Sequence, residues 1–292
     1  MMPILEYWAK YLLELYELKP LRKKMILDAI EKSMFSQKIK IFGTIESTNT
    51  YANEIARMGA PEGTVVIAEN QNAGRGRMGR KWVSPKYANV LMSVIIKPDI
   101  KIREIFAINM ITTLAVTDAI EEIFGLNSKI KWPNDIYLNM KKVGGILTEI
   151  SAKGHDIEYV VVGLGLNINW KPENLTEMRY DAISVSEEVG YPLSREEIIS
   201  SILIKIDLYY KMYSQGMSLK LLELWRERSI ILGKLVEIDT GEETISGRVL
   251  RVDHRGTLII ENEDGDKNEV IFGDVSVKEI KDESTHNRKD PG

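Results

Sequence analysis

The sequence predicts an α+β protein in two parts, a larger mixed region of strands and helices followed by a small all-β region. Three observations predict it. The chain has 292 residues, which at roughly 150 residues per domain makes about two domains. Up to about residue 230, short β-branched runs alternate with stretches of helical periodicity. After Gly233 the texture changes to short strands punctuated by Gly241, Gly247, Gly256 and Gly265, and spacings of about nine residues suit a small barrel of hairpins.

Taken in order, Leu5, Trp8, Leu12, Leu15 and Tyr16 recur at helical spacing, and Pro20 separates them from a second helix through Met25, Ile26, Ala29 and Ile30. The plain reading is a helical cap; Arg22, Lys23 and Lys24 leave open a DNA-binding helix-turn-helix. A strand follows near Ile39 to Phe42. Glu46-Ser47-Thr48-Asn49 then supplies capping residues for a helix from Tyr51 to Met58. Thr64 to Ala68 and Asn89 to Ile96 read as strands, the second stopped by Pro98. A long amphipathic helix from about Arg103 to Phe124 ends at Gly125. Short strands follow at Lys129 to Trp132, Ile136 to Leu138, Val143 to Ser151 and Ile157 to Asn169, with Lys153-Gly154 as a turn. Helices resume at Arg195 to Tyr213 and Leu219 to Arg228, and the tail from Asp282, which has no apolar residue, is expected to be disordered.

Composition excludes much. The chain is 44% hydrophobic and 28% charged, a globular balance rather than a disordered or fibrous one. Nothing approaches eighteen consecutive apolar residues, so no membrane partner is expected, and the acid-containing N-terminus does not read as a secretory signal. There is no cysteine, and the three histidines are His155, His254 and His286. Disulfides, thiol nucleophiles and Cys/His zinc sites are therefore out, and chemistry must run on Lys, Arg, carboxylates, amides and backbone dipoles. A cytoplasmic location fits. The formal charge of −4 carries no global nucleic-acid signal. Locally, residues 70–90 hold Arg75, Arg77, Arg80, Lys81 and Lys86 with no acid, whereas residues 231–280 hold six basic residues against twelve acids.

Four stretches stand out. Gly74-Arg75-Gly76-Arg77-Met78-Gly79 matches G-x-G-x-x-G, but a dinucleotide fingerprint needs a helix after it, and Arg80-Lys81-Trp82-Val83-Ser84-Pro85 does not open one. The segment suits wrapping a polyanion: its glycines permit close approach and unusual φ, while guanidiniums fork onto phosphate oxygens. With its charge lacking an internal partner, it is expected to be mobile when empty. Lys131-Trp132-Pro133-Asn134-Asp135 holds a lysine at a strand end beside a rigid turn. Lys142-Val143-Gly144-Gly145-Ile146-Leu147 places paired glycines in a strand, a sign of close approach by a ligand or another backbone. Gly163-Leu164-Gly165-Leu166-Asn167-Ile168-Asn169 suggests either a flat group lying on backbone with an amide reading its edge, or a bulge.

In this order, with Ser47-Thr48-Asn49 ahead of them, these strings closely resemble the biotin protein ligases, from about residue 39 to near 280. Lipoate ligases share the fold but lack the arginine-glycine string. The resemblance implies a class II synthetase-like mixed sheet with helices, followed by a small SH3-like β domain. The boundaries expected are 1–37 for an N-terminal helical extension, 38–230 for the catalytic domain, 231–281 for the β domain and 282–292 for the tail. It further implies that biotin is activated by ATP to biotinyl-5′-AMP and then transferred to a lysine of a biotin carboxyl carrier protein or domain. Mg²⁺ would ride on the ATP phosphates, with no protein cage for it. About 38 residues precede the first strand, short for the winged helix of bifunctional members, so DNA is not an expected partner. A homodimer is expected by analogy.

The resemblance also implies roles. Biotin binding falls to Ser47, Thr48, Asn49, Gln71, Gly74, Arg75, Gly76, Arg77, Lys131, Gly144 and Gly145. ATP and adenylate binding fall to Arg75, Arg77, Arg80, Trp82, Lys131, Asn134 and Asn167. Among them Ser47, Thr48 and Gln71 would hold the ureido ring, and Trp82 and Asn167 would stack on and read the adenine. Lys131 and Arg77 would be catalytic, Lys131 bridging the biotin carboxylate and the α-phosphate.

Overall fold

The computed structural model describes residues 18–170 and 182–277. The first helical run, around Leu5 to Tyr16, and the tail from Asp282 lie outside the described residues. The second N-terminal helix is α1 (Lys23–Ala29).

The main sheet is built from β1 (Ile39–Phe42), β2 (Val65–Ala68), β3 (Val90–Ile96), β4 (Lys129–Lys131), β5 (Asp135–Leu138), β6 (Lys141–Lys153) and β7 (Asp156–Leu166). Their spatial order is β1-β2-β3-β7-β6-β5-β4. β1 and β2 run parallel, and the other neighbours are antiparallel. The helices are α2 (Thr48–Arg57), α3 (Phe106–Phe124), α4 (Val185–Val189), α5 (Arg195–Ser214) and α6 (Ser218–Arg228).

β3 is buried at every residue, which is why it reads as an apolar run broken only by Ser93 rather than as an alternation. Strand alternation nevertheless sorts its side chains onto two faces. Val65, Ile67, Met92, Val94, Val160 and Val162 pack in the large core with Ile108, Ile111 and Leu114 of α3 and Ile202 of α5. Val66, Ile95 and Val161, one residue out of step, pack with Ala52 and Ala56 of α2. The second face is the functional one. By the β3–β7 and β6–β7 registers, Ser93 pairs with Gly163, Leu147 pairs with Gly163, and Gly145 pairs with Gly165. All lie in step with Val161.

Several elements differ from the sequence expectation. α2 begins at Thr48 rather than Tyr51, because the Ser47 side chain caps it by accepting from the Thr50 amide, so Thr48 and Asn49 lie in the first turn. The long helix starts at Phe106, after a 3₁₀ turn at Ile102–Glu104. β6 is longer than expected and β7 stops at Leu166, leaving Asn167 just beyond the strand. α4 was not expected.

The second sheet comprises β8 (Leu235–Asp239), β9 (Thr244–Val252), β10 (Leu258–Glu261), β11 (Lys267–Val270) and β12 (Asp274–Val277), antiparallel throughout in the order β11-β10-β9-β8-β12. Gly241, Gly256 and Gly265 take positive φ between strands. Gly247 instead sits inside β9, where a Cβ would come within 2.5 Å of the Glu261 carbonyl oxygen.

Two interactions fix these parts. The buried Trp132 indole donates to the Gly256 carbonyl at 2.9 Å, tying the turn after β4 to the C-terminal sheet. Glu69, at the end of β2, pairs with Arg195 at 2.7 Å, and both side chains are almost fully buried. Arg195 also donates to the Lys19 carbonyl, and the Glu69 carbonyl accepts the Tyr87 amide at 3.1 Å. A buried pair loses most when one partner is removed, so the stem of the segment between Glu69 and Tyr87 is firmly anchored. No helix among the described residues is long and apolar enough to cross a membrane.

Candidate functional site

A cavity of about 560 Å³ opens on the α2 side of the main sheet, within the range usual for small-molecule sites. Its floor is the glycine-bearing part of β6 and β7, its polar end is the start of α2, and its cover is the segment from Gln71 to Val83.

The floor explains the strand glycines. A Cβ on Gly163 would sit 2.1 Å from Asn49 Oδ1, and one on Gly165 would sit 2.4 Å from Trp82 Cε2. The flat group that lies on Gly165 is thus the protein's own indole, whose buried Nε1 finds no acceptor among the described residues. Gly144 serves backbone packing rather than the cavity, since its Cβ would meet Leu166 at 2.9 Å and the Gly165 carbonyl at 3.0 Å.

At the polar end Ser47, Thr48 and Asn49 are buried. Gln71 Oε1 accepts the Thr48 amide at 2.7 Å and lies 3.1 Å from the Thr48 hydroxyl. Ser93 Oγ donates to Asn49 Oδ1 at 2.6 Å and lies 2.7 Å from Thr48 Oγ1. Asn49 Nδ2 in turn donates to the Leu147 carbonyl and to Glu149. Such an array of fixed donors and acceptors suits a neutral polar ring.

The covering segment is a small hairpin. Trp82 N donates to the Gly74 carbonyl at 2.9 Å and Gly76 N to the Arg80 carbonyl at 2.7 Å, around a 3₁₀ turn at Arg77–Gly79. Gly74 is required because a Cβ would meet the Trp82 carbonyl at 2.5 Å, and Gly79 because its φ is +71°. Gly76 has an ordinary φ and room for a Cβ, the nearest atom lying 3.6 Å away, so not every glycine here answers a backbone need.

The expectation that this segment's charge has no internal partner is overturned. Arg75 pairs with Glu149 at 3.0 Å, Arg77 donates to Asn134 Oδ1 at 2.9 Å, and Arg80 pairs with Asp274. Each arginine is held by a different element: β6, the turn between β4 and β5, and β12 of the C-terminal sheet.

Two lysines lie near the cavity, Lys131 on β4 and Lys142 on β6. Lys131 is half-buried and not on the cavity wall; its Nζ lies 3.3 Å from Tyr137 Oη and 5.3 Å from that ring's centroid. Burial lowers its pKa below the usual lysine value, with Lys142 and Arg80 pushing the same way and Asp135 opposing. The wall lysine is Lys142, whose Nζ pairs with Asp135 at 2.6 Å. A register shift between β5 and β6 pairs Ile136 with Gly144 but Tyr137 with Lys142, leaving Val143 as the extra residue. The bulge turns Lys142 onto the face of Gly145, and a Cβ on Gly145 would lie 3.4 Å from Lys142 Nζ.

Of the residues the sequence singled out, all but Gly74, Lys131 and Gly144 line the cavity. The charged lining residues given no role by the sequence are Lys81, Asp135 and Lys142, all inside quoted strings, and Asp274. The wall carries five cations, Arg75, Arg77, Arg80, Lys81 and Lys142, against the two carboxylates Asp135 and Asp274, a balance that favours an anionic ligand.

Comparison with known proteins places this geometry. A model of the Biotin/lipoate A/B protein ligase family matches residues 41–167. The bifunctional ligase/repressor BirA of Bacillus subtilis (strain 168) is 34% identical over 239 residues, 82% of this chain and 74% of that one. The biotin–[acetyl-CoA-carboxylase] ligase of Paracoccus denitrificans is 30% identical over 236 residues, 78% of this chain and 98% of that one. Among solved structures, the biotin protein ligase from Aquifex aeolicus in complex with biotin and ATP superposes with a TM-score of 0.68 at 27% identity, covering 83% of this chain and 99% of that one.

Proposed function

The chain belongs to the biotin protein ligase family, and from that premise we propose how its own residues carry the reaction. It is an ATP-dependent ligase that joins biotin and ATP into biotinyl-5′-AMP and transfers biotin to a carrier lysine. In the first step a biotin carboxylate oxygen attacks the α-phosphorus and pyrophosphate leaves. In the second the carrier's ε-amine attacks the carbonyl carbon of the mixed anhydride, AMP leaves, and the amine loses a proton.

The observation that carries the residue assignment is what shares the one cavity wall: the fixed neutral groups Ser47, Thr48, Asn49 and Gln71 around the start of α2, the cations Arg75, Arg77, Arg80 and Lys142, and the indole of Trp82 lying on Gly165. Ser47, Thr48, Asn49 and Gln71 take the ureido ring. Arg75, Arg77 and Lys142 surround the point where the carboxylate and α-phosphate meet, and Gly76 and Gly145 keep backbone and floor close to it. The bridging role expected of Lys131 is proposed for Lys142, with Lys131 a second charge beside it on the far side of Asp135. Trp82, Arg80, Asn134 and Asn167 take the nucleotide. The two wall carboxylates are each taken up by a cation, Asp135 by Lys142 and Asp274 by Arg80; Mg²⁺ would come with the nucleotide and would shield its phosphate charge. Biotin-dependent exchange of pyrophosphate into ATP tests the first step. Exchange that ignores biotin would defeat the assignment.

The proposal also keeps the division near residues 38, 230 and 281, a carboxyl carrier domain as acceptor, a cytoplasmic location where ATP is supplied, and no part for DNA. A homodimer is supported by an open edge: the Thr148 to Lys153 stretch of β6 has a strand neighbour on one side only among the described residues, and unpaired strand edges invite pairing. Light scattering of the purified chain checks it.

Two consequences follow from the cover. Biotin with ATP should suppress protease nicking between Gln71 and Lys86, because a ligand gathers Arg75, Arg77 and the indole around itself; equal cleavage with and without ligand would refute a cover that closes on substrate. Gly165→Ala should drive the Trp82 ring off the floor. Overpacking of this kind costs about 1–3 kcal/mol, so KM for ATP should rise about tenfold with biotin affinity little changed. An unchanged KM for ATP would remove Trp82 from the nucleotide site.

A further inference from the structure

We infer that Glu149 is a positioning residue that holds the covering hairpin closed over the reactive adenylate. No role in the reaction described above uses it. Its carboxylate receives three donors from two segments distant in sequence: Arg75 Nη2 at 3.0 Å, Asn49 Nδ2 at 2.8 Å and Asn53 Nδ2 at 3.1 Å. Arg75 belongs to the cover, whereas Asn49 and Asn53 belong to α2, so one side chain ties the lid to the helix that forms the polar end of the cavity.

Its place in the sheet explains why it can do so. Glu149 pairs with Val161 and is in step with Gly145 and Leu147 on the cavity face. It lies beyond the last β5 partner, Gly145, where nothing from β5 stands in the way. The side chain is 28% exposed and that of Arg75 is 47% exposed. Solvent keeps a pair of this kind weak enough to open, and the two asparagines hold the carboxylate in position while the arginine is away. A lid must be closed while the anhydride exists and open when the carrier lysine arrives, and a solvated ion pair on a preorganised carboxylate suits both.

The assignment rests on the reading of the cavity as the biotinyl-AMP site. The test is a double-mutant cycle on the full chain, with Glu149→Gln, Arg75→Gln and both together, and Glu149→Asp as a fourth protein that keeps the charge. Each is loaded with radiolabelled biotin and ATP, chased with unlabelled biotin and ATP, and the release of labelled biotinyl-AMP is timed. Glu149→Gln should release the adenylate about fivefold faster, the scale of a solvated ion pair. Glu149→Asp should fall between it and the parent. In the Arg75→Gln background Glu149→Gln should add almost nothing, since the partner is already gone. Equal fold-changes in both backgrounds would overturn the latch, as would an unchanged release rate accompanied by a lowered Tm, the mark of a brace that only stabilises the fold. If the parent itself forms no adenylate, the reading of the cavity falls and the latch with it; adenylate formed normally with additive effects sinks the latch alone.

Discussion

Lys142→Met loses most of the adenylation rate while Lys131→Met loses far less. Charge develops during the first step where the carboxylate oxygen joins the α-phosphate, and a cation already fixed at that point stabilises the transition state without reorganising. Lys142 is on the cavity wall, its Nζ held by Asp135 at 2.6 Å and its stem packed beside Gly145. Lys131 faces the Tyr137 ring beside that wall, in step with Asp135, and burial has made it less basic than an ordinary lysine. Removing one preorganised donor costs about 3 kcal/mol, or roughly a hundredfold in rate. Methionine keeps the length of the stem and removes the charge, so loss of packing does not confuse the result. Biotin-dependent pyrophosphate release by the two variants, measured side by side, decides between the lysines. A larger loss at Lys131 would return the bridging role to it.

Arg77→Gly should let the intermediate leak. Biotinyl-AMP free in solution acylates any exposed lysine, so specificity depends on holding it until the carrier docks. Arg77 lines the cavity and is oriented by Asn134, whose own Nδ2 is fixed by the Ile146 carbonyl. Its guanidinium can grip the phosphate of the adenylate as well as that of ATP. A charge-assisted hydrogen bond of this kind contributes about 1.5–3 kcal/mol, so affinity for the intermediate should fall roughly ten- to a hundredfold. Serum albumin should then become biotinylated in trans. If Arg77 serves only ATP entry, the variant is uniformly slow and stays specific. The ratio of biotin transfer to albumin against transfer to a carrier domain separates the two, and an unchanged ratio refutes the leak.

Much of this was legible in the chain, and what was not has physical causes. Gly163 and Gly165 read as strand positions closely approached by something. Their partners, Asn49 and Trp82, come from segments more than eighty residues away, and no local pattern encodes that meeting. Regular alternation from Gly145 would turn Lys142 away from the cavity; a bulge at Val143 reverses this, and a one-residue bulge leaves little trace in the residues that form it. The basic segment looked unpartnered because its acceptors, Glu149, Asn134 and Asp274, lie in three other elements. Asp274 sits in a short strand of the second sheet, where nothing local marks it as facing a cavity. By contrast, the β2 and β3 strands and the long α3 helix were legible, because burial there follows from the largely apolar run itself.

The measurement that bears most directly on the account is mass spectrometry of the purified chain incubated with biotin and ATP, before and after addition of a carboxyl carrier domain. The account predicts biotinyl-5′-AMP in the first sample. In the second it predicts loss of that species and a carrier heavier by one biotin, joined as an amide to a single lysine. A chain that forms no adenylate, or whose adenylate persists while the carrier stays unmodified, would contradict it.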